Sequence, residues 1–100
     1  MSYSIEITVR ALGEVEDTYR WMTNNREQGL AQSWYQDLNK ALQSLTNFPN
    51  RCPIVSAAEG LEGIVRQLKF GNHMIYFEVT PEIVIVFSVQ HVRQQPFPND

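Results

Sequence analysis

Between Ile64 and His91 the chain reads as three strands separated by two turns, and this segment constrains the fold more than any other. Ile64 to Phe70 stops at Gly71-Asn72, a pair suited to the tight turns that join neighbouring antiparallel strands. His73 to Val79 stops at Thr80-Pro81-Glu82, and Ile83 to His91 then follows, nearly all β-branched or apolar. A run of that kind belongs in the middle of a sheet, covered on both faces. Turns this short make the three strands neighbours in an antiparallel meander.

A meander with an apolar face needs a cover, and the upstream sequence supplies one. Leu12, Val15, Tyr19 and Met22 recur at helical spacing, while Glu14, Glu16, Asp17 and Arg20 fill the other faces. The acids are expected in the first turn of this helix, where its dipole favours them. Asn24-Asn25 through Gly29 reads as a break. Leu30, Trp34, Leu38, Leu42 and Leu45 form a second stripe, stopped at Phe48-Pro49 because the residue before proline avoids helical geometry. Two helices with so short a connection predict an antiparallel hairpin.

Ahead of them, residues 3–10 alternate, with Tyr3, Ile5, Ile7 and Val9 on one side and Ser4, Glu6, Thr8 and Arg10 on the other. This is the pattern of a half-buried strand, which buries its apolar side by joining the same sheet. The expected class is therefore α+β. The order is β-α-α-β-β-β, a helical hairpin packed on a four-stranded, mostly antiparallel sheet. Residues 49–63, with two prolines and two glycines, read as a loop with a short helical turn at 57–61, and the two-proline tail from Gln94 reads as a fraying end.

A length of 100 residues fits one domain, expected to span 1–100. Apolar residues at 43% against charged residues at 19% place it among globular chains rather than disordered ones. Cys52 is the sole cysteine, which excludes an intramolecular disulfide and a zinc site built on two or four thiolates. Met1 to Glu6 has no basic stretch followed by an apolar run, so no signal peptide is read there, and Ile83 to Phe87 is too short to cross a bilayer. A cytoplasmic location with no membrane partner is expected. Eight Lys and Arg against eleven Asp and Glu give a formal charge of −3, without the positive excess of a surface built to grip nucleic acid.

Three stretches carry a resemblance: Gly63-Ile64-Val65-Arg66-Gln67-Leu68-Lys69-Phe70-Gly71, then Met74-Ile75-Tyr76-Phe77-Glu78-Val79, then Ile83 through His91-Val92-Arg93. Together with the strand order and the length, they resemble the RelE/ParE superfamily of bacterial toxins. These are the protein half of type II toxin–antitoxin pairs, plasmid stabilisation systems among them. Members typically carry a "VR-x-L" strand, an aromatic-Arg-x-x-Tyr strand and a last strand ending in "H-x-R". Here His73 and Met74 stand where the aromatic residue and the arginine usually fall. The loop between helices and sheet offers Arg51 beside the acids Glu59 and Glu62, where the messenger-cleaving members carry several basic residues.

The resemblance implies a toxin, of the ParE type that blocks DNA gyrase without chemistry rather than the RelE type that cuts messenger RNA on the ribosome. A relic that binds a partner and poisons nothing is the remaining reading. Were the chain an enzyme, it would be a metal-independent endoribonuclease with no cofactor. The implied partners are a cognate antitoxin, DNA gyrase or the ribosome with its messenger, and a second copy of the chain.

Arg66, Lys69, His91 and Arg93 are the candidate catalytic cluster, since adjacent strands can bring their ends together. Histidine titrates near neutral pH and can move a proton, and arginine binds phosphate with paired hydrogen bonds. Their plainer reading is solvated charge at a sheet edge. His73 and His91 have no acid or cysteine at a helpful spacing, so no metal site is expected. Trp21 and Tyr19 are the candidate partner-binding residues: Trp21 falls out of phase with the helix stripe, and an exposed indole is a natural anchor for an antitoxin segment. Cys52, with no histidine nearby in sequence, reads as inert.

Overall fold

The computed structural model describes residues 2–26, 28–55 and 64–93. The elements follow in the order β1 (Ser4–Ile7), α1 (Val9–Asn25), α2 (Gln28–Ser44), β2 (Val65–Phe70), β3 (His73–Val79) and β4 (Ile83–His91), with a 3₁₀ turn at Pro49–Arg51 after α2. The strands form one sheet in the order β1-β4-β3-β2. β2 with β3 and β3 with β4 are antiparallel, whereas β1 runs parallel to β4. The α+β class and the element order are as the sequence predicts, and β4 lies inside the sheet. The helical turn expected at 57–61 and the tail from Gln94 lie outside the described residues.

One face of the sheet carries Leu68, Phe70, Ile75, Phe77, Val84, Val86 and Val89. These pack with Ala11 and Val15 of α1 and with Leu38 and Leu42 of α2, and Leu45 closes the same core. The opposite face is covered more thinly, by Val65, Tyr76, Met74 and Phe87 with Val55. A bulge in β4 sets which residues reach the helices. Tyr76 faces Ser88 but Phe77 faces Val86, so Phe87 is an extra residue on β4. The core-facing positions therefore shift from Val84 and Val86 to Val89. At the tight turn between β2 and β3, Gly71 adopts a φ of 57°, a conformation that costs glycine nothing.

The N-terminal strand is shorter than its alternation suggests. Thr8 ends it: the Thr8 N–H still donates to Val86 O at 2.9 Å, while its Oγ1 caps α1 by accepting from Ala11 N–H at 3.2 Å. Val9 and Arg10 thus belong to the helix, and Val9 is 90% exposed. The early start leaves no acid in the first turn of α1. It also shifts the buried stripe to Ala11 and Val15, leaving Leu12 46% exposed. In α2 the buried positions are Ala31, Leu38 and Leu42, with Trp34 half-buried and Leu30 exposed.

Beyond α2 the chain reverses at Phe48, whose φ of 51° and ψ of 50° are left-handed. That conformation costs an L-residue roughly 1–2 kcal/mol. The turn is held by Arg51, which donates to the carbonyls of Asn47 at 2.9 Å and Phe48 at 3.1 Å.

β1 covers β4 only from Ile83 to Val86, so the backbone of β4 beyond Val86 needs other partners. α1 provides them. Thr8 Oγ1 donates to Phe87 O at 3.4 Å. Glu14 then accepts three bonds: from Ser88 Oγ at 2.9 Å and Val89 N–H at 3.0 Å on Oε1, and from Gln90 Nε2 at 3.0 Å on Oε2. Ser88 and Gln90 are both buried, so these bonds satisfy groups that water does not reach.

Leu38→Ala and Leu42→Ala should each destabilise the protein by about 2–5 kcal/mol, because both side chains are enclosed by the core. Urea unfolding checks this, and a loss under about 1 kcal/mol at both sites would contradict the packing. Glu14→Leu should cost roughly 3 kcal/mol, since at least two buried donors lose their acceptor at about 1–3 kcal/mol each. Glu14→Gln keeps an acceptor oxygen and should cost under about half of that loss. Equal effects of the two substitutions would show that the carboxylate does not hold β4.

Candidate functional site

The end of the sheet where β3 starts and β4 stops meets the far end of the helical hairpin, and a groove of about 670 Å³ opens between them. α1 contributes Asp17, Thr18, Trp21 and Met22, the start of α2 contributes Leu30, and the sheet contributes Asn72, His73 and His91. Arg26 completes the rim, with its guanidinium 5.7 Å from the centre of the Trp21 indole. The pairing of an exposed cation with the indole is worth about 0.5–1 kcal/mol and holds the ring in place. One wall is thus apolar and the rim is polar, with Asp17 engaged by Arg20 at 3.2 Å.

His73 and His91 are direct partners across β3 and β4, their rings 5.4 Å apart and nearly perpendicular. Trp34 lies against His73 at 5.3 Å and against Phe70 at 6.2 Å. Among the described residues, the Trp34 indole N–H is the one buried side-chain donor without an acceptor. Burial, and secondarily the nearby His91, pushes the His73 pKa below the ordinary histidine value, so its ring is neutral at neutral pH. His91 accepts the Arg93 N–H on Nδ1 at 3.1 Å.

The four cationic candidates do not converge. Arg66 pairs with Phe77, which pairs with Val86, whereas His91 lies in the row of His73 and Phe70. The four-residue separation along β2 is about 13 Å. Arg66 is also occupied: its guanidinium donates to Cys52 O at 2.7 Å and Asn50 O at 3.2 Å, tying the loop after α2 to β2. Lys69 is exposed and alternates onto the face opposite Leu68 and Phe70, away from the helices. Arg93 is exposed just past β4, near His91 through its backbone N–H alone among the described contacts.

The two aromatic candidates divide as well. Trp21 is 53% exposed and lines the groove. Tyr19 lies on the other side of α1, edge-on to Tyr35 at 5.9 Å, in a separate hollow of about 500 Å³. Cys52 is buried, and that burial raises its thiol pKa against the opposing pull of Arg51 and Arg66. No group of three metal-ligating side chains is assembled among the described residues, and no helix among them is long and apolar enough to cross a membrane. The residue that sequence reasoning missed is Glu14. Its one visible signal is its place three residues from Ala11 and four from Thr18, on the buried side of α1.

No curated protein matches this chain in sequence. A solved structure described as the chromosomal ParDE toxin–antitoxin system from P. aeruginosa shares the fold, with a TM-score of 0.74 at 17% identity, over 90% of this chain and 96% of that one. Residues 5–96 match the ParE toxin of the type II toxin–antitoxin system parDE, a span that takes in nearly every element described above. The chain belongs to that family of toxins, on the ParE rather than the RelE side of the superfamily it resembles.

Proposed function

We propose that this toxin acts by binding a cellular protein, with DNA gyrase as the first candidate, and performs no chemistry on it. The observation that carries the reading is the dispersal of its cationic residues. Metal-free cleavage of a phosphodiester needs a base, an acid and phosphate-binding cations within about 3 Å of the reacting atoms. Arg66 is spent on two carbonyls, Lys69 is on the far face, and His91 lies four residue rows from Arg66 along the sheet. The formal charge of −3 points the same way, since RNA capture gains most of its affinity from positive charge.

The neutralising partner is a cognate antitoxin. The groove beside Trp21 suits one of its segments: a concave apolar wall accepts side chains, and the Arg26 and Asn72 rim offers donors to a backbone or a carboxylate. Cytoplasmic action follows from targets of this kind.

Induced expression of the chain alone should arrest bacterial growth, and His91→Gln should arrest it equally. Purified protein should inhibit supercoiling by DNA gyrase, with no cleaved transcripts in the arrested cells. Cleaved transcripts that vanish in the His91→Gln variant would instead establish the endoribonuclease reading. Growth unaffected by the wild-type chain would establish the inactive relic.

A further inference from the structure

His73 stands where three strands and α2 meet. It is the first residue of β3 and the middle of a row, paired with Phe70 on β2 and with His91 on β4. Trp34 of α2 lies against its ring at 5.3 Å, and His73 also lines the groove between the sheet and α1. It is 7% exposed, so the imidazole closes this end of the core beneath the groove. Burial disfavours a charged ring, and histidine is the side chain that mild acid charges.

The described groups around the ring offer it little negative charge. From β4 comes a second imidazole, His91, 5.4 Å away. Arg26 beyond α1 is a further cation of the groove, and Arg93 follows just past β4. The turn contributes Asn72 and β2 contributes Phe70, neither of them ionisable. α1 brings two acids toward this end, and both are committed. Asp17 is exposed and paired with Arg20, while Glu14 takes three donors from β4. From α2 the indole face of Trp34 attracts a cation, yet its N–H is already a buried donor without an acceptor. An imidazolium beside it adds donors and accepts nothing. Burial outweighs the attraction and, with the nearby His91, holds the His73 pKa below its ordinary value.

We propose that His73 is a proton-operated latch on the groove: neutral, it stays packed between Trp34 and His91, and charged, it leaves that place and opens the wall that β3 and β4 form there. The trigger is mild acid. Once exposed, the ring takes up its proton near the ordinary histidine value of 6.5, whereas the packed ring does so only at lower pH. Between those points the open form holds more protons. The packed form is therefore fully stable above about pH 6.5 and weakens as pH falls through the pKa of the packed ring. What the latch releases is the row Phe70–His73–His91 and the bond from Val92 N–H to Asn72 O at 2.8 Å. The latch stands apart from the toxin reading. That reading adds a consequence, since a segment seated in the groove would be held less firmly as pH falls.

The chain by itself tests this. Trp21 is exposed, so Trp21→Phe leaves Trp34 as the sole indole and spares the core. In that protein, kept well below its melting temperature, acrylamide should quench Trp34 about 2–3-fold more effectively at about pH 5.5 than at about pH 7.5. Adding His73→Phe removes the titrating ring and keeps an aromatic one, so the quenching should no longer depend on pH. Melting temperatures should repeat the pattern. Over the same range, the protein with His73 intact should lose about 3–6 °C more than the His73→Phe variant. His73→Gln carries the same expectation and takes over where the phenylalanine variant fails to fold. Quenching that rises equally in the His73 variants would place the proton elsewhere and overturn the proposal. A Trp34 that stays shielded in acid would overturn it as well, because the ring would then keep its place whatever its charge. So would an opening whose midpoint lies at or above about pH 6.5, the behaviour of an ordinary exposed histidine.

Discussion

The carboxylate of Glu14 is the point on which the layers of this protein depend. β4 pairs on one side with β3 for its whole length, but on the other side β1 covers only its first half. The remaining edge would leave a buried hydroxyl, a backbone N–H and a buried amide without partners. Glu14 takes all three, and so fixes α1 against the sheet in one register as well as against the core in one orientation. Arg10, 3.8 Å away and more exposed, adds little to this, as surface ion pairs do. Apolar packing alone would tolerate a helix that slides, whereas three directed bonds do not.

The groove inherits its shape from that docking. Trp21 and Met22 lie two turns further along α1 than Glu14, so the position of the helix on β4 decides where they stand over His73 and His91. The bulge at Phe87 contributes in the same way, since the shift it introduces puts His91 on the side of the sheet where His73 lies. A small carboxylate and one extra strand residue thus define a binding surface to which neither belongs.

The three C-terminal strands were legible because their turn residues are explicit: Gly71-Asn72 and Thr80-Pro81-Glu82 mark the ends, and β3 and β4 begin and stop where the sequence says. The N-terminal strand was read too long because Val9 continues the alternation, although Thr8 had already ended the strand as a cap. The phase of α1 slipped for the same reason, which promoted Leu12 to the core in place of Ala11. For the cationic cluster, part of the answer was in the spacing. Residues three apart on a strand, such as Arg66 and Lys69, face opposite sides. What spacing could not give is the engagement of Arg66 by Asn50 and Cys52, or of Glu14 by β4, because each joins residues distant in sequence.

Of the two interior strands, β4 is also the last of the described elements to be synthesised. β1 leaves the ribosome first, yet its partner β4 follows about 80 residues later, and the helices meanwhile have only part of a floor to rest on. Until His91 has emerged, β1 is unpaired and Glu14 has nothing to bind. The nascent chain therefore cannot complete its sheet piecemeal from the N-terminus. A chain built in this order has no finished groove until its last described strand is made, because His91 at the end of β4 is part of the wall.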